Sequence, residues 1–581
     1  MQRKNRARCG VSATVAMMLS VAMVPSAMAD ELSSEQELKL NWNTTVGYGA
    51  AWRLRSASPD LLIRPNNDDG DRNFGRGLIS NRIDVLTELD ARYGPIGARF
   101  SAAGWYDQAY NERTDNLGSV GGSFPNQVST PFDRFTDRTR DLHGRKAEVL
   151  DAFISGRFNT PLGPLTMRLG QHALLWGESL FFASNAIAGT QMPFDVSRLL
   201  SQPNAQAKEF VLPVPQVSAQ WQLNQDVSVG AYYQFDYRPN RLPAVGSYFS
   251  QNDLYVDGGE RLLLDPALFS GQALRSPDRK PKNSDQFGAQ LRWQWGETDL
   301  GVYATRFHDK AFQPVTELGL APTTVPAAAC AGAFGPAGVA ISGTCFLAGG
   351  PTGYHTVYAQ GVRALGFSAS RTFGDANIAL ETSIRRGQAL SSSHGFDASA
   401  LGAPVTGPAG TTAFAVGNTA HLNLSALWTL PDTFLWREAT FVGELAWNRV
   451  LRCKRNCEVA TATSGTLDPN ASRDAAALRV LLRPTYRQVL PGLDIDVPIG
   501  IGYSPKGSRS MALGPGYFPP AGGGDVSIGI NGELYGTWRF GLSYTHFFGP
   551  TATFLDAGNS YSYKQSLADR NFISFNLRRS F

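Results

Sequence analysis

From Leu38 onward the chain alternates at two levels. Within short segments, apolar and polar residues take turns. Between segments, short connections take turns with long ones. The stretch Leu38 to Leu54 carries the pattern most plainly. One row reads Leu38, Leu40, Trp42, Thr44, Val46, Tyr48, Ala50, Trp52, Leu54, and the other Lys39, Asn41, Asn43, Thr45, Gly47, Gly49, Ala51, Arg53. Successive side chains of a strand point to opposite faces, so this is a strand with two different solvents. Its aromatics stand near the ends of the apolar row, where a membrane barrel carries its girdles.

Segments of the same kind run over 81–93, 96–110, 146–158, 165–173, 216–223, 227–237, 286–295, 299–308, 361–373, 377–387, 419–430, 437–450, 474–487, 493–503, 525–531, 538–548 and 569–581. With the first, they predict about eighteen strands, an even number as single-chain bacterial barrels require. Tight turns such as Gly94-Pro95 and Gly374-Asp-Ala376 alternate with long segments at 55–78, 111–145, 174–215, 238–284, 309–360, 388–417, 451–473, 504–524 and 549–568. Short turns on one side and long loops on the other predict an antiparallel up-and-down transmembrane β-barrel with long extracellular loops. The first strand should pair with the last and remove both free edges. A secreted sandwich or propeller would also alternate. Its apolar face, however, would point to a packed core, and rows holding Arg82, Asp84, Glu88, Arg92, Glu381, Arg385, Glu444 and Arg479 would crowd its exterior with charge.

The first 29 residues fit that location. Arg3, Lys4, Arg6 and Arg8 precede an apolar run from Val11 to Val24, and Ala27-Met28-Ala29 closes it. This is the pattern of a signal peptide over 1–29, leaving 30–581 as the barrel. An uncleaved anchor is the alternative, but the run falls short of the ~20 residues a helical span needs. The segment removes four basic and no acidic residues from totals of 53 and 49, so the remainder is formally neutral. A nucleic-acid binder would keep a basic excess. The last strand ends on Phe581, preceded at alternate positions by Leu577, Phe575 and Ile573, like the terminal signal that the barrel-insertion machinery reads. Arg579 interrupts the row.

Apart from Cys9, the cysteines fall in two local pairs within long segments. An exported chain permits disulfides, and we expect Cys330–Cys345 and Cys453–Cys457 outside the cell. A four-cysteine zinc site is the alternative; the first pair is too widely spaced for it.

Catalytic signals are lacking. The sequence holds neither G-x-S-x-G nor H-E-x-x-H, and its seven histidines are scattered. The expectation is a non-enzyme without cofactor or metal, with a barrel lipid enzyme as an alternative. The run Asn66-Asn-Asp-Asp-Gly-Asp71 has the look of a calcium loop. Setting Gly70 at the sixth position puts Pro65 first and Arg76 twelfth, where acids are required, so the run reads as an Asx-rich turn.

Two long segments are too apolar for solvated loops. In 174–215 stand Trp176, Glu178, Phe181, Phe182, Asp195 and Arg198, with Asp195 placed to cap a short helix. In 238–264 stand Tyr248 and Phe249. We expect one or both to fold into the lumen. There they would constrict it or, alternatively, brace its wall. Arg53, Arg82, Asp84, Glu88, Arg92, Arg168, His172, Glu381, Arg385 and Glu444 are the expected lumen charges. Arg53, Arg82, Arg92 and Arg168 would favour a solute with an acidic end. An aromatic-lined passage suits a small hydrophobic or amphipathic molecule, crossing by passive diffusion.

Certain motifs are more specific: Asn67-Asp-Asp-Gly-Asp-Arg-Asn-Phe74, Gly170-Gln171 with Trp176-Gly-Glu-Ser-Leu-Phe-Phe182, Pro193-Phe-Asp195 with Lys208-Glu209, Leu242-Pro-Ala-Val-Gly-Ser-Tyr-Phe-Ser250, and Asp569-Arg-Asn571. In these the chain resembles a Gram-negative outer-membrane barrel family catalogued as domain of unknown function 1302. The resemblance implies an outer-membrane location among lipid and lipopolysaccharide. It also implies transport or catabolism of hydrophobic compounds such as steroids or fatty acids, and association with a periplasmic lipoprotein-like family and an RND-type exporter family. An occluded partner of such a trans-envelope complex is therefore a second functional expectation.

Overall fold

The computed structural model describes residues 38–118, 126–201, 210–392, 395–402, 413–457, 467–558 and 560–581. Residues 1–29, the expected signal segment, and Lys208-Glu209 lie outside these residues. The barrel strands are β1 (Leu38–Arg53), β2 (Gly77–Tyr93), β3 (Ile96–Asp107), β4 (Arg145–Thr160), β5 (Gly163–His172), β6 (Val214–Gln222), β7 (Val227–Gln234), β8 (Gln286–Trp295) and β9 (Thr298–Phe307). They continue as β10 (Val362–Phe373), β11 (Ala376–Ala389), β12 (Val416–Leu430), β13 (Glu438–Arg455), β14 (Asp474–Leu490), β15 (in two pieces, Leu493–Asp496 and Ile499–Ser504), β16 (Gly523–Leu534), β17 (Trp538–Phe548) and β18 (Phe572–Ser580). Each pairs antiparallel with its neighbours in sequence. The break in β15 falls at Val497-Pro498. Proline has no N–H for the ladder, and the Pro498 carbonyl instead accepts from Gly529 at 3.0 Å.

The sheet closes as expected. β1 pairs with β18 from Thr45 opposite Ser580 to Arg53 opposite Phe572, and Phe581 and Thr44 exchange backbone hydrogen bonds at 2.9 and 3.2 Å. The first and last strands of the barrel sheet thereby pair with each other, as a sheet in lipid requires. The apolar row faces outward: Trp42 is 70% exposed and Trp52 39%, while Glu444, on the opposite row of β13 from exposed Leu445, is 1% exposed. Arg579 belongs to the outward row, and its guanidinium lies over the Trp538 and Phe581 rings at 5.0 and 4.5 Å. The charge that interrupts the expected terminal signal is thus laid along aromatic surface at the short-turn rim. In the short turns, Gly94, Gly296, Gly374 and Gly492 take φ of +54° to +76°, which glycine adopts without steric cost.

One long connection departs from its expected loop character. Residues 309–360 hold a hairpin, Gln313–Pro326 against Thr344–Val357, at the centre of a second sheet with Arg261–Leu262, Ala273–Arg275, Gly338–Ile341 and Gly395–Asp397. Prolines at 314, 322, 326 and 351, and register shifts after Glu317, Gly319 and Pro322, hide its alternation. The two disulfides are formed, Cys330–Cys345 beside this hairpin and Cys453–Cys457 at the end of β13. The first closes a short loop, which stabilises by ~3 kcal/mol in the chain-entropy account. The double variant Cys330→Ser/Cys345→Ser should speed limited proteolysis near residues 327–345 while the barrel keeps its folded gel mobility. Unchanged cleavage would refute this.

Candidate functional site

The connection from β5 to β6 crosses to a distant part of the wall. It leaves at His172 and returns at Val214, yet its residues 178–187 hydrogen-bond to β11, β12 and β13, five to seven strands further round from β6. The anchors are charged side chains on the row opposite the exposed one. Glu444 accepts from Ser179 Oγ at 2.7 Å and from the backbone N–H groups of Leu180 (3.1 Å), Phe181 and Phe182 (2.9 Å). Glu381 accepts from the N–H groups of Glu178 (2.6 Å) and Ile187. Arg385 donates to the carbonyls of Ser184, Asn185 and Ala186 at 3.1, 2.9 and 2.8 Å. Asn185 Nδ2 reaches Asn423 Oδ1 at 2.9 Å, and its Oδ1 accepts from Asn448 at 3.1 Å. An irregular backbone thus has its polar groups met by buried charges, which bind roughly twice as strongly as neutral partners. Gly177 allows the approach: a Cβ there would lie 2.2 Å from Glu381 Oε2.

Two adjoining cavities open between this segment and the later long connections. One, of about 140 Å³, is lined by Phe181, Phe182, Leu199, Phe518, Phe547 and Tyr563, with the Arg479–Asp525 ion pair and Lys564 at its polar side. The other, of about 110 Å³, is lined by Val196, Leu242, Phe249, Phe312, Leu513 and Tyr561. Leu200, Gln251, Pro515, Tyr517 and Phe554 border both. Phe182 and Phe518 meet edge to face at 5.4 Å. The lining from 513–518 and 554–563 was not anticipated from sequence. The aromatics of Gly514-Pro-Gly-Tyr-Phe-Pro519 and Phe554, Tyr561 and Tyr563 are the signal that could have found it.

The expected site residues divide. Phe181, Phe182 and Phe249 line the cavities. Trp176 and Tyr248 do not: Trp176 is packed with Ile187, Tyr232 and Tyr303, and Tyr248 with Phe74, Tyr110 and Phe572. Asp195 pairs with Arg241 at 2.9 Å and its Oδ1 caps the helix Val196–Ser201 by accepting from the Arg198 N–H at 3.1 Å, while the Arg198 side chain is exposed. Glu178 stands 3.5 Å from Arg292.

The expected lumen charges need correction. Arg53 is wholly buried at the long-loop end, between Asp71 and Asp569 at 3.0 Å each. Glu381, Arg385 and Glu444 are used by the crossing segment. His172 is buried, with Nε2 against Ser218 Oγ at 2.8 Å and Nδ1 against the Gly170 carbonyl at 3.0 Å. Arg82 pairs with Asp84, and Arg99 gathers Glu88 with Asp90 and Asp151. Arg92 and Arg168 are exposed, Arg168 over the Phe153 ring. Arg53, Arg82, Asp84 and Glu88 are thus paired with opposite charge, whereas Glu381, Arg385 and Glu444 meet the backbone and side chains of the crossing segment. The His172–Ser218 contact does not make a hydrolytic triad: Nδ1 meets a carbonyl where an orienting acid would be needed.

A closed barrel of eighteen strands, with a lipid-compatible belt outside and a buried polar row inside, defines an outer-membrane β-barrel of a Gram-negative bacterium. The chain belongs to the family described as protein of unknown function (DUF1302), whose sequence profile matches residues 10–581. Similar solved structures include OccAB3 of Acinetobacter baumannii (8% identity, 93% of this chain, 99% of that one, TM-score 0.39). OccK2 (OpdF) of Pseudomonas aeruginosa in complex with glucuronate is similar at 9% identity over 93% of this chain and 97% of that one, with TM-score 0.36. OmpF of Salmonella typhi in complex with daunomycin is similar at 7% identity over 94% and 99%, with TM-score 0.34. No curated protein matches the chain.

Proposed function

We propose that this protein is a passive outer-membrane channel for small hydrophobic or amphipathic molecules, narrowed by residues 178–187 and the aromatic chamber beside them. The observation that carries this reading is the pair of adjoining cavities, walled by Phe181, Phe182, Phe518, Phe554 and Tyr563 and bordered on one side by charge. Concave, mostly apolar sites with a few placed polar groups are where small molecules bind. A ring system would remove apolar surface from water there at ~25 cal/mol per Å². Its polar end would meet Lys564 or the Arg479–Asp525 pair. The paired charges Arg82–Asp84 and Glu88–Arg99 select little for net charge, so shape and apolarity set the preference.

The test is reconstitution into planar bilayers with small ions as carriers and a steroid carboxylate as the blocking solute. The double variant Phe182→Ala/Phe518→Ala should raise ionic conductance and weaken solute block about tenfold, the effect of ~1.4 kcal/mol of lost contact. Wild-type block that is absent, or identical in the variant, would overturn the assignment of the chamber.

A further inference from the structure

At the long-loop end, Asp68, Asp69 and Asp253 bring one carboxylate oxygen each within 4.8 Å of the others. All three residues are buried, at 0–1% exposure. Their counter-charge is thin: Arg72 meets Asp68 at 2.9 Å. One oxygen of Asp69 accepts from the Asn126 N–H at 3.3 Å, and one of Asp253 accepts from the Asp69 N–H at 3.1 Å. The remaining oxygen of each carboxylate, Oδ1 in every case, has no hydrogen-bond partner. Two amide oxygens of the same neighbourhood are equally unmet, Asn67 Oδ1 and Asn126 Oδ1, on residues 7% and 0% exposed. Asn126 is held against Asp69 by its backbone. Its Nδ2 is engaged by Asn66 Oδ1 at 2.7 Å and the Arg261 carbonyl at 3.0 Å.

Buried carboxylates are tolerated when they are paired or coordinate a cation. The five unmet oxygens, three of them on carboxylates, are all hard oxygen donors. Calcium takes 6–8 such ligands, and water or backbone carbonyls can complete the shell. We propose that Asn67, Asp68, Asp69, Asn126 and Asp253 form a structural Ca²⁺ site that ties three of the long connections together. The donors come from residues 67–69, 126 and 253, so no linear calcium motif would be expected.

The experiment uses the full chain refolded from lipopolysaccharide-free material into detergent and stripped with EDTA. Equilibrium dialysis with radioactive calcium should find one saturable site per chain, at ~1 mM or tighter, the range of extracellular calcium modules. Magnesium should compete at least tenfold less well. Asp253→Asn should weaken binding at least tenfold. Limited proteolysis of wild-type protein gives a second reading: calcium should slow cleavage in the long loops several-fold over EDTA, with folded gel mobility unchanged. A wild-type protein with no saturable site up to ~10 mM, or an Asp253→Asn protein that binds like wild type, would overturn the proposal. Should Asp253→Asn fail to fold, Asp69→Asn and the wild-type dialysis decide the question.

Discussion

Asp71→Asn is expected to destabilise the folded protein by ~3–5 kcal/mol, the usual cost of removing one partner from a buried ion pair. The readout is a lower urea midpoint in detergent, with accelerated proteolysis of the long loops. Asp71 receives a bidentate pair from Arg570, Nε and Nη2 at 2.9 Å each, and a third bond from Arg53 Nη2 at 3.0 Å. The three side chains are 0–2% exposed. Arg570 Nη1 also donates to the carbonyls of Tyr248 and Ser250, and Arg53 Nη1 to that of Phe74. One carboxylate therefore fixes the end of β1, the helix Asp69–Arg72, residues 248–250 and the chain entering β18. Removing its charge leaves two guanidinium groups buried against carbonyls, with Asp569 as the remaining acid. Gly70 shows how tight the junction is, since a Cβ there would lie 2.7 Å from the Ser247 carbonyl. Arg487, which pairs with Glu438 and Asp494 at the short-turn end, provides the control. Its side chain is 61% exposed, and Arg487→Ala should move the midpoint far less.

The same cluster sets an acid limit. Burial pushes the Asp71 carboxyl up, but Arg570 and Arg53 more than reverse this and hold it below the usual carboxylate range. A depressed carboxylate stabilises fully above its unfolded value of ~3.9 and loses that contribution as pH falls through its folded value. The Asp71 contribution should therefore persist through mildly acidic pH and fail only below about 4. A wild-type midpoint that already falls between pH 6 and 5, with Asp71→Asn insensitive there, would contradict the assignment.

What could be read from sequence follows from the range over which each signal acts. A strand alternates residue by residue, and a turn glycine acts within a few positions, so β1 to β18 and their closure were legible. The cysteine pairs are also local, separated by 15 and 4 residues. Arg53 was misread because its row is all that sequence supplies. Its role is decided by Asp71 and by Asp569, which lies 516 residues beyond it. Glu381 and Glu444 have the same history. Their row was correctly polar, but their partners are backbone N–H groups of a connection some 200 to 260 residues earlier, which no side-chain pattern encodes. The hairpin in 309–360 was obscured for a different reason. Its strands contain prolines and register shifts, which disrupt period-two patterning without preventing pairing.

Glu444→Ala should release the crossing segment and at least double the single-channel conductance, with added current noise. Five donors lose their acceptor at once: Ser179 Oγ, the N–H groups of Leu180, Phe181 and Phe182, and Asn423 Nδ2 at 2.7 Å. Each bond to a charged group contributes ~1.5–3 kcal/mol, and unmet buried donors add a penalty. These contributions are not additive, yet even two of them exceed what an irregular segment can lose and keep one position. Glu381 and Arg385 would still hold Glu178 and residues 184–187, so the freed portion is Ser179 to Phe182, which carries Phe181 and Phe182 of the chamber wall. Glu444→Gln retains one carbonyl acceptor but turns an NH₂ group toward backbone donors, and should fall between wild type and alanine in both noise and solute block. The measurement separates constriction from bracing. If residues 178–187 only brace the wall, Glu444→Ala will lower the unfolding midpoint and leave the current unchanged. If they narrow the passage, conductance rises in the same preparation. A lower midpoint with identical currents in all three proteins would therefore remove the constriction from the proposed channel and leave the aromatic chamber as a site beside the passage.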